Sequence, residues 1–180
     1  MPITDWLLPE YDAEMAATRR LLERVPLDDP QWKPHEKSMA IGYLAFLVAS
    51  LPGWTTMTLQ RTELDIQPPA GKSWGHDAPS TTAELIERFD RDVAQGRAVL
   101  AAATEDDFQV PWTLKMGERE LMTQPRWMVY RQSVINHLVH HRAQLGVYLR
   151  LRGVPVPSIY GPSADEQTFG TDRPQEAKAR

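Results

Sequence analysis

Two imidazoles four residues apart, His137 and His141, are the side chains of this sequence best spaced to do chemistry together. At about 100° per residue on a helix they fall on nearly one face, about one turn of rise from each other. Tyr130, Val134, His137, His141, Leu145 and Tyr148 recur at steps of three and four, so the pair lies on the stripe that a helix would bury. A buried imidazole loses its hydration and needs partners for both ring nitrogens. A metal ion with oriented outer hydrogen bonds supplies them, and so do ordinary hydrogen bonds inside a core; the spacing alone leaves both readings open. His140 lies about 60° round the helix from His137 and about 100° from His141, so the three do not converge on one ion. His35 falls in a proline-punctuated connector and reads as solvated.

The bulk numbers bound what such a pair can belong to. At 180 residues, with a net charge of -4, the chain is long enough for one domain with a real core and has no basic field to attract nucleic acid. Zero cysteines exclude disulfides, thiolate metal sites and cysteine nucleophiles together, so any metal must use histidine, carboxylate or water. No apolar run approaches the roughly 20 residues of a membrane span, and the opening MPITDWLLPEYDAEM is acidic where a signal peptide would be basic. The expected location is the cytoplasm, with neither nucleic acid nor membrane as partner.

Helical elements must position the histidines. Leu8, Tyr11, Met15, Thr18, Leu22 and Val25 form a seam with one polar break, predicting a first helix over about 4–25. Ser38 reads as the N-cap of a second helix carrying Ile41, Leu44, Leu47, Val48 and Leu51, kinked at Pro52-Gly53 and continuing to about 63. The Pro- and Gly-rich stretch 65–80 reads as a long loop in which Trp74 and His76 are candidate pocket walls. Thr81 with Glu84 resembles a capping box before Leu85, Phe89, Val93, Gly96 and Leu100, predicting a helix over about 82–103. The run from Val110 to Thr123 reads as an irregular hairpin or extended excursion. Pro125 and Gly153 then bracket an uninterrupted final helix. The expected fold is all-α: an up-down four-helix bundle over residues 1–162, with a long loop between helices 2 and 3 and an irregular excursion before helix 4. Residues 163–180 read as a polar, loosely held tail.

The stretch VINHLVHHRAQLGVYLRLRGVPVPSIYGPSADE, with SMAIGYLAFLVASLPGW before it, resembles the DinB-like family of small bacterial metal-binding four-helix-bundle proteins. That resemblance implies a homodimer and a divalent metal, zinc or nickel, held by three histidines: one from the second helix and an i,i+4 pair from the last. The pair falls on His137 and His141. The first ligand of the family pattern falls on Leu47, within GYLAFLVA, and leucine has no lone pair to give. Relatives with this bundle include transferases that use a low-molecular-weight thiol, whose pKa a metal lowers so that the thiolate attacks an electrophile. The resemblance therefore implies either a metal-dependent thiol transferase or, with the third ligand missing, a protein of the stress-response type whose pocket takes a small molecule. Arg142, Gln144, Tyr148 and Tyr160 belong to the same motif and read as structural anchors.

Overall fold

Apolar residues at helical spacing settle where each long element lies. The computed structural model describes residues 2–67 and 80–167. Helix α1 spans Thr4–Leu22, and its seam is buried as the periodicity predicts, with Tyr11, Leu22 and Val25 each 2% exposed or less. The polar break at Thr18 is fully buried too. Its hydroxyl donates to the Glu14 carbonyl at 2.7 Å and accepts from Arg142 at 3.1 Å, so it is a satisfied polar contact inside the core.

Helices α2 (Ile41–Ser50) and α3 (Gly53–Gln60) are the two halves of the kinked second helix, separated at Leu51-Pro52 because proline has no amide to continue the ladder. Ala40, not Ser38, occupies the N-cap of α2. No side chain caps it; the preceding connector folds back so that the Trp32 carbonyl accepts from the Ile41 amide and the Pro30 carbonyl from that of Gly42. Helix α4 (Thr82–Ala102) begins where Thr81 accepts from the Glu84 amide. It packs against α1, α2 and α3. At Gly96 a Cβ would come within 2.6 Å of the Tyr11 hydroxyl and 2.9 Å of the Pro52 carbonyl, so only glycine permits this approach. On the outside, Arg19 forks onto Asp90 and Arg97 onto Asp12, fixing the register of α1 on α4.

The expectation of an all-helical chain is corrected by a small sheet. Strand β1 (Glu63–Asp65) runs parallel to β2 (Pro111–Met116), which pairs antiparallel with β3 (Arg119–Pro125), in the order β1-β2-β3. A short helix, α5 (Glu105–Gln109), enters β2 behind a capping box at Thr104 and Asp107. The expected irregular excursion is thus an ordered hairpin. Gly117 turns it at φ +64, its amide donating to Asp65 at 3.0 Å, so the turn also ties the hairpin to β1. The molecule is mostly helical with this one sheet among the described residues.

The last helical run is not uninterrupted. It comprises α6 (Arg126–Val129), a π-helical segment over Tyr130–Asn136 and α7 (His137–Leu151). It ends as expected, with Gly153 at φ +70 and the Val154 amide reaching back to the Leu149 carbonyl at 2.9 Å, a Schellman closure. Beyond it, Ser163, Asp165 and Glu166 are not loose. Asp165 accepts from Arg150 and from the Val156 amide, and Glu166 from the Ser158 amide and Arg24.

Candidate functional site

The site starts at a change of helical register. The amide of His137 reaches the carbonyl of Gln132, five residues back, instead of that of Ser133. The Ser133 carbonyl instead takes the His137 imidazole: this backbone bond favours the charged ring, which identifies the ring N–H as donor. The other ring nitrogen of His137, Nε2, stands 2.9 Å from Nε2 of His141. His141, 6% exposed, turns its Nδ1 to the carbonyl oxygen of Gln144 at 2.8 Å. An amide oxygen only accepts, so His141 Nδ1 carries the proton.

Both outer nitrogens are therefore donors, and in the neutral pair both Nε2 lone pairs point at one another. That arrangement requires a cation between them. One proton supplies it and two do not: burial pushes the His137 imidazole below its ordinary value, and the charge that His141 would carry pushes it further. A divalent metal supplies it as well. Two imidazoles whose outer N–H groups are tied to carbonyls form the outer shell that orients histidine ligands, and nitrogens each about 2.0–2.1 Å from one ion fit a separation of this order.

The surroundings are specific about what is present. Trp54 of α3 meets His137 edge-on, ring centroids 5.6 Å apart. Leu47, to which the resemblance assigns the first ligand position, is half-buried on α2, a helix that packs against α7, and it lies against the shared core. Among the described residues no group of three His, Asp or Glu side chains is placed to hold one ion. His140 is exposed and its Nε2 receives the Gln144 amide at 3.1 Å, so it stays outside the pair. His35 is exposed and accepts from the Lys37 amide. Trp74 and His76 lie outside the described residues.

Beside the pair, Arg142 is 3% exposed and closes a network of its own. It pairs with Glu14 at 2.7 Å, bonds Thr18, and donates to the Tyr160 hydroxyl at 2.6 Å. Tyr148 packs on Trp32, centroids 5.6 Å apart, and donates to the Met39 carbonyl at 3.2 Å. Both are anchors, as their place in the motif suggests. Gln144 is the exception, for it serves the histidines and not a neighbouring loop. Sequence reasoning took Gln144 for a structural anchor and missed Trp54 and Ser133 as partners of the histidines. Only Gln144 carried a signal, being one turn from His140 and three residues from His141.

The last helix and the core that receives it define a DinB-type protein, and the chain belongs to the DinB family, whose model matches residues 6–177. An uncharacterized protein of Bacillus subtilis (strain 168), YrdA, is 26% identical over 178 residues, spanning 95% of this chain and 96% of its own. The fold resembles a DinB-like protein from Bacillus cereus ATCC 10987 (TM-score 0.65, 19% identity, 88% of this chain and 98% of that one). It also resembles a DinB-like protein from Bacillus subtilis (TM-score 0.61, 16% identity, 91% and 99%). No described helix is long and apolar enough to cross a membrane.

Proposed function

We propose that His137 and His141 are a two-histidine half-site for a divalent metal, zinc or nickel, in a protein whose role is to bind a small ligand, on an up-down four-helix bundle that pairs into a homodimer. The observation that carries this is the pair of Nε2 atoms 2.9 Å apart with both Nδ1 protons directed at carbonyl oxygens. A bound metal would act as a Lewis acid at this point, and the chain's own residues do the rest. Ser133 and Gln144 hold the tautomers, Trp54 walls one side, and Leu47 contributes bulk where a third imidazole would bind. With two protein ligands, affinity is low and the remaining positions are left to solvent or ligand. Those open positions also support a second reading, a metal-dependent transferase in which a low-molecular-weight thiol completes the shell and is deprotonated there.

The test is calorimetric titration of untagged protein with zinc and nickel, beside Leu47→His. Wild type should bind weakly, and the variant at least tenfold more tightly, because a third ligand adds a bond and completes an open tetrahedral site. Metal-free, the variant should lose about 1–3 kcal/mol for a polar ring replacing a packed leucine, and metal should restore it. Tight binding of one equivalent by wild type would show that a third ligand exists; no gain in the variant would remove Leu47 from the site.

A further inference from the structure

Between α2–α3 and α4 opens a cleft of about 550 Å³, the size of a small-ligand site. Phe46 and Trp54 give it aromatic surface, and the Arg88 guanidinium lies 5.0 Å over the Phe46 ring. Asp92, 8% exposed, is the one carboxylate on the lining, and it receives Arg88 and Arg91, each through Nε at 3.3 Å. Arg61 also lines the cleft, and among the described residues its guanidinium meets no carboxylate. Its structural duty is its backbone carbonyl, which accepts from Arg126 at 2.9 Å. The side-chain amides of Gln60 and Gln95 line the same space without a hydrogen-bond partner among the described residues. The Thr56 hydroxyl on this lining is buried with no hydrogen-bond partner among the described residues.

Arg61 and Arg88 against Asp92 leave the lining one positive charge in excess, which suits a monoanion. A free guanidinium fork, with two unengaged amides on the same lining, matches a carboxylate, whose two oxygens take parallel N–H bonds. The aromatic surface takes a flat apolar body. We infer that the cleft binds a small organic carboxylate carrying a flat apolar group, with the carboxylate on Arg61 and the ring on Trp54. Trp54 is shared with the histidine pair, but this inference stands whether or not that pair holds a metal.

The probe is benzoate, titrated into the full chain and followed by amide and indole NMR shifts. Nine heavy atoms make a millimolar dissociation constant the expectation, with saturable shifts at the Trp54 indole and the Gln60 and Gln95 side-chain amides. Arg61→Ala keeps the carbonyl bond to Arg126 and should weaken binding about tenfold, the loss of one charge-assisted pair. Gln95→Ala, on the exposed side of α4, should weaken it less and serves as the second variant. Benzyl alcohol, the same ring without the charge, should bind about tenfold more weakly than benzoate. The inference is overturned if benzyl alcohol matches benzoate, if Arg61→Ala binds as wild type does, or if no saturable shift appears at these residues. Inorganic phosphate saturating the same amides as tightly as benzoate would overturn the apolar part.

Discussion

Arg142 and His141 are neighbours on α7 and both are buried, yet they answer opposite electrostatic problems. Arg142 brings a permanent cation into the core, and the fold supplies everything that cation needs: the Glu14 carboxylate, the Thr18 hydroxyl and the Tyr160 oxygen. Tyr160 in turn donates to the carboxylate at 2.9 Å, so the network closes on itself. The histidine pair brings lone pairs and no cation. Its outer nitrogens are turned to carbonyl oxygens, and its inner nitrogens face only one another, 2.9 Å apart. A closed network is built for holding elements together, here α1, α7 and the C-terminal segment; an open one is built for taking something up.

Arg142→Ala opens the closed network at its centre. It leaves Glu14 without its buried partner and frees Tyr160, and should cost about 3–5 kcal/mol in denaturant titration, with or without metal. A loss under about 1 kcal/mol would show that the network is ornamental and that Glu14 finds water instead.

Next in size are the histidines. His141→Ala leaves a polar void and an unpaired Gln144 oxygen, and metal-free protein should lose about 1–3 kcal/mol. His137→Ala should lose less, because it also removes the conflict between the two lone pairs and its ring is only half-buried. Equal losses by thermal melting in chelator would mean that a proton already bridges the pair.

A smaller effect separates orienting from ligating. Gln144→Ala should leave the melting temperature of the metal-free protein within a few degrees, but weaken metal by about 10–100-fold, because His141 loses the acceptor that fixes its tautomer. Nitrogen chemical shifts of the imidazoles would show His141 drifting from the Nδ1–H form. Unchanged affinity would place Gln144 outside the site.

The smallest effect is in pH. Because burial, and then the neighbouring charge, hold His137 below its ordinary value, the unfolded chain takes up this proton first as the medium is acidified. The stability contributed by the neutral ring is therefore full above about pH 6.5 and declines as the pH falls from there toward the lower folded-state value. Bound metal should move the decline to lower pH, since the ligands must stay deprotonated. Melting curves of wild type and His137→Ala should stand apart near pH 8 and converge toward pH 5; parallel curves would show a ring that titrates freely.

What the sequence made legible was whatever depends on local period and local capping. The α1 seam, the Thr81 cap, the break at Pro52 and the stop at Gly153 follow from residues a few positions apart. So does the shared face of His137 and His141. The sheet did not follow, because β1 is three residues long and pairs with a strand some fifty positions away, beyond the reach of any alternation pattern. Nor did the contact of Trp54 with His137, which joins two elements whose packing no periodicity encodes. The π segment has no compositional mark, so YRQSVIN reads as plain α-helix.

That segment has a bearing on how this protein tolerates insertions and deletions. A π turn is an α-helix that has absorbed one extra residue without breaking. Removing one residue between Tyr130 and Asn136 would let the run tighten to ordinary geometry, with apolar character and helical ends intact. The flanking segments would keep nearly their present faces, because the extra residue is what the π turn absorbs, but the Ser133 carbonyl would return to a backbone amide. Such a deletion would look conservative in any reading of the helix and would unseat the imidazole it was never seen to hold.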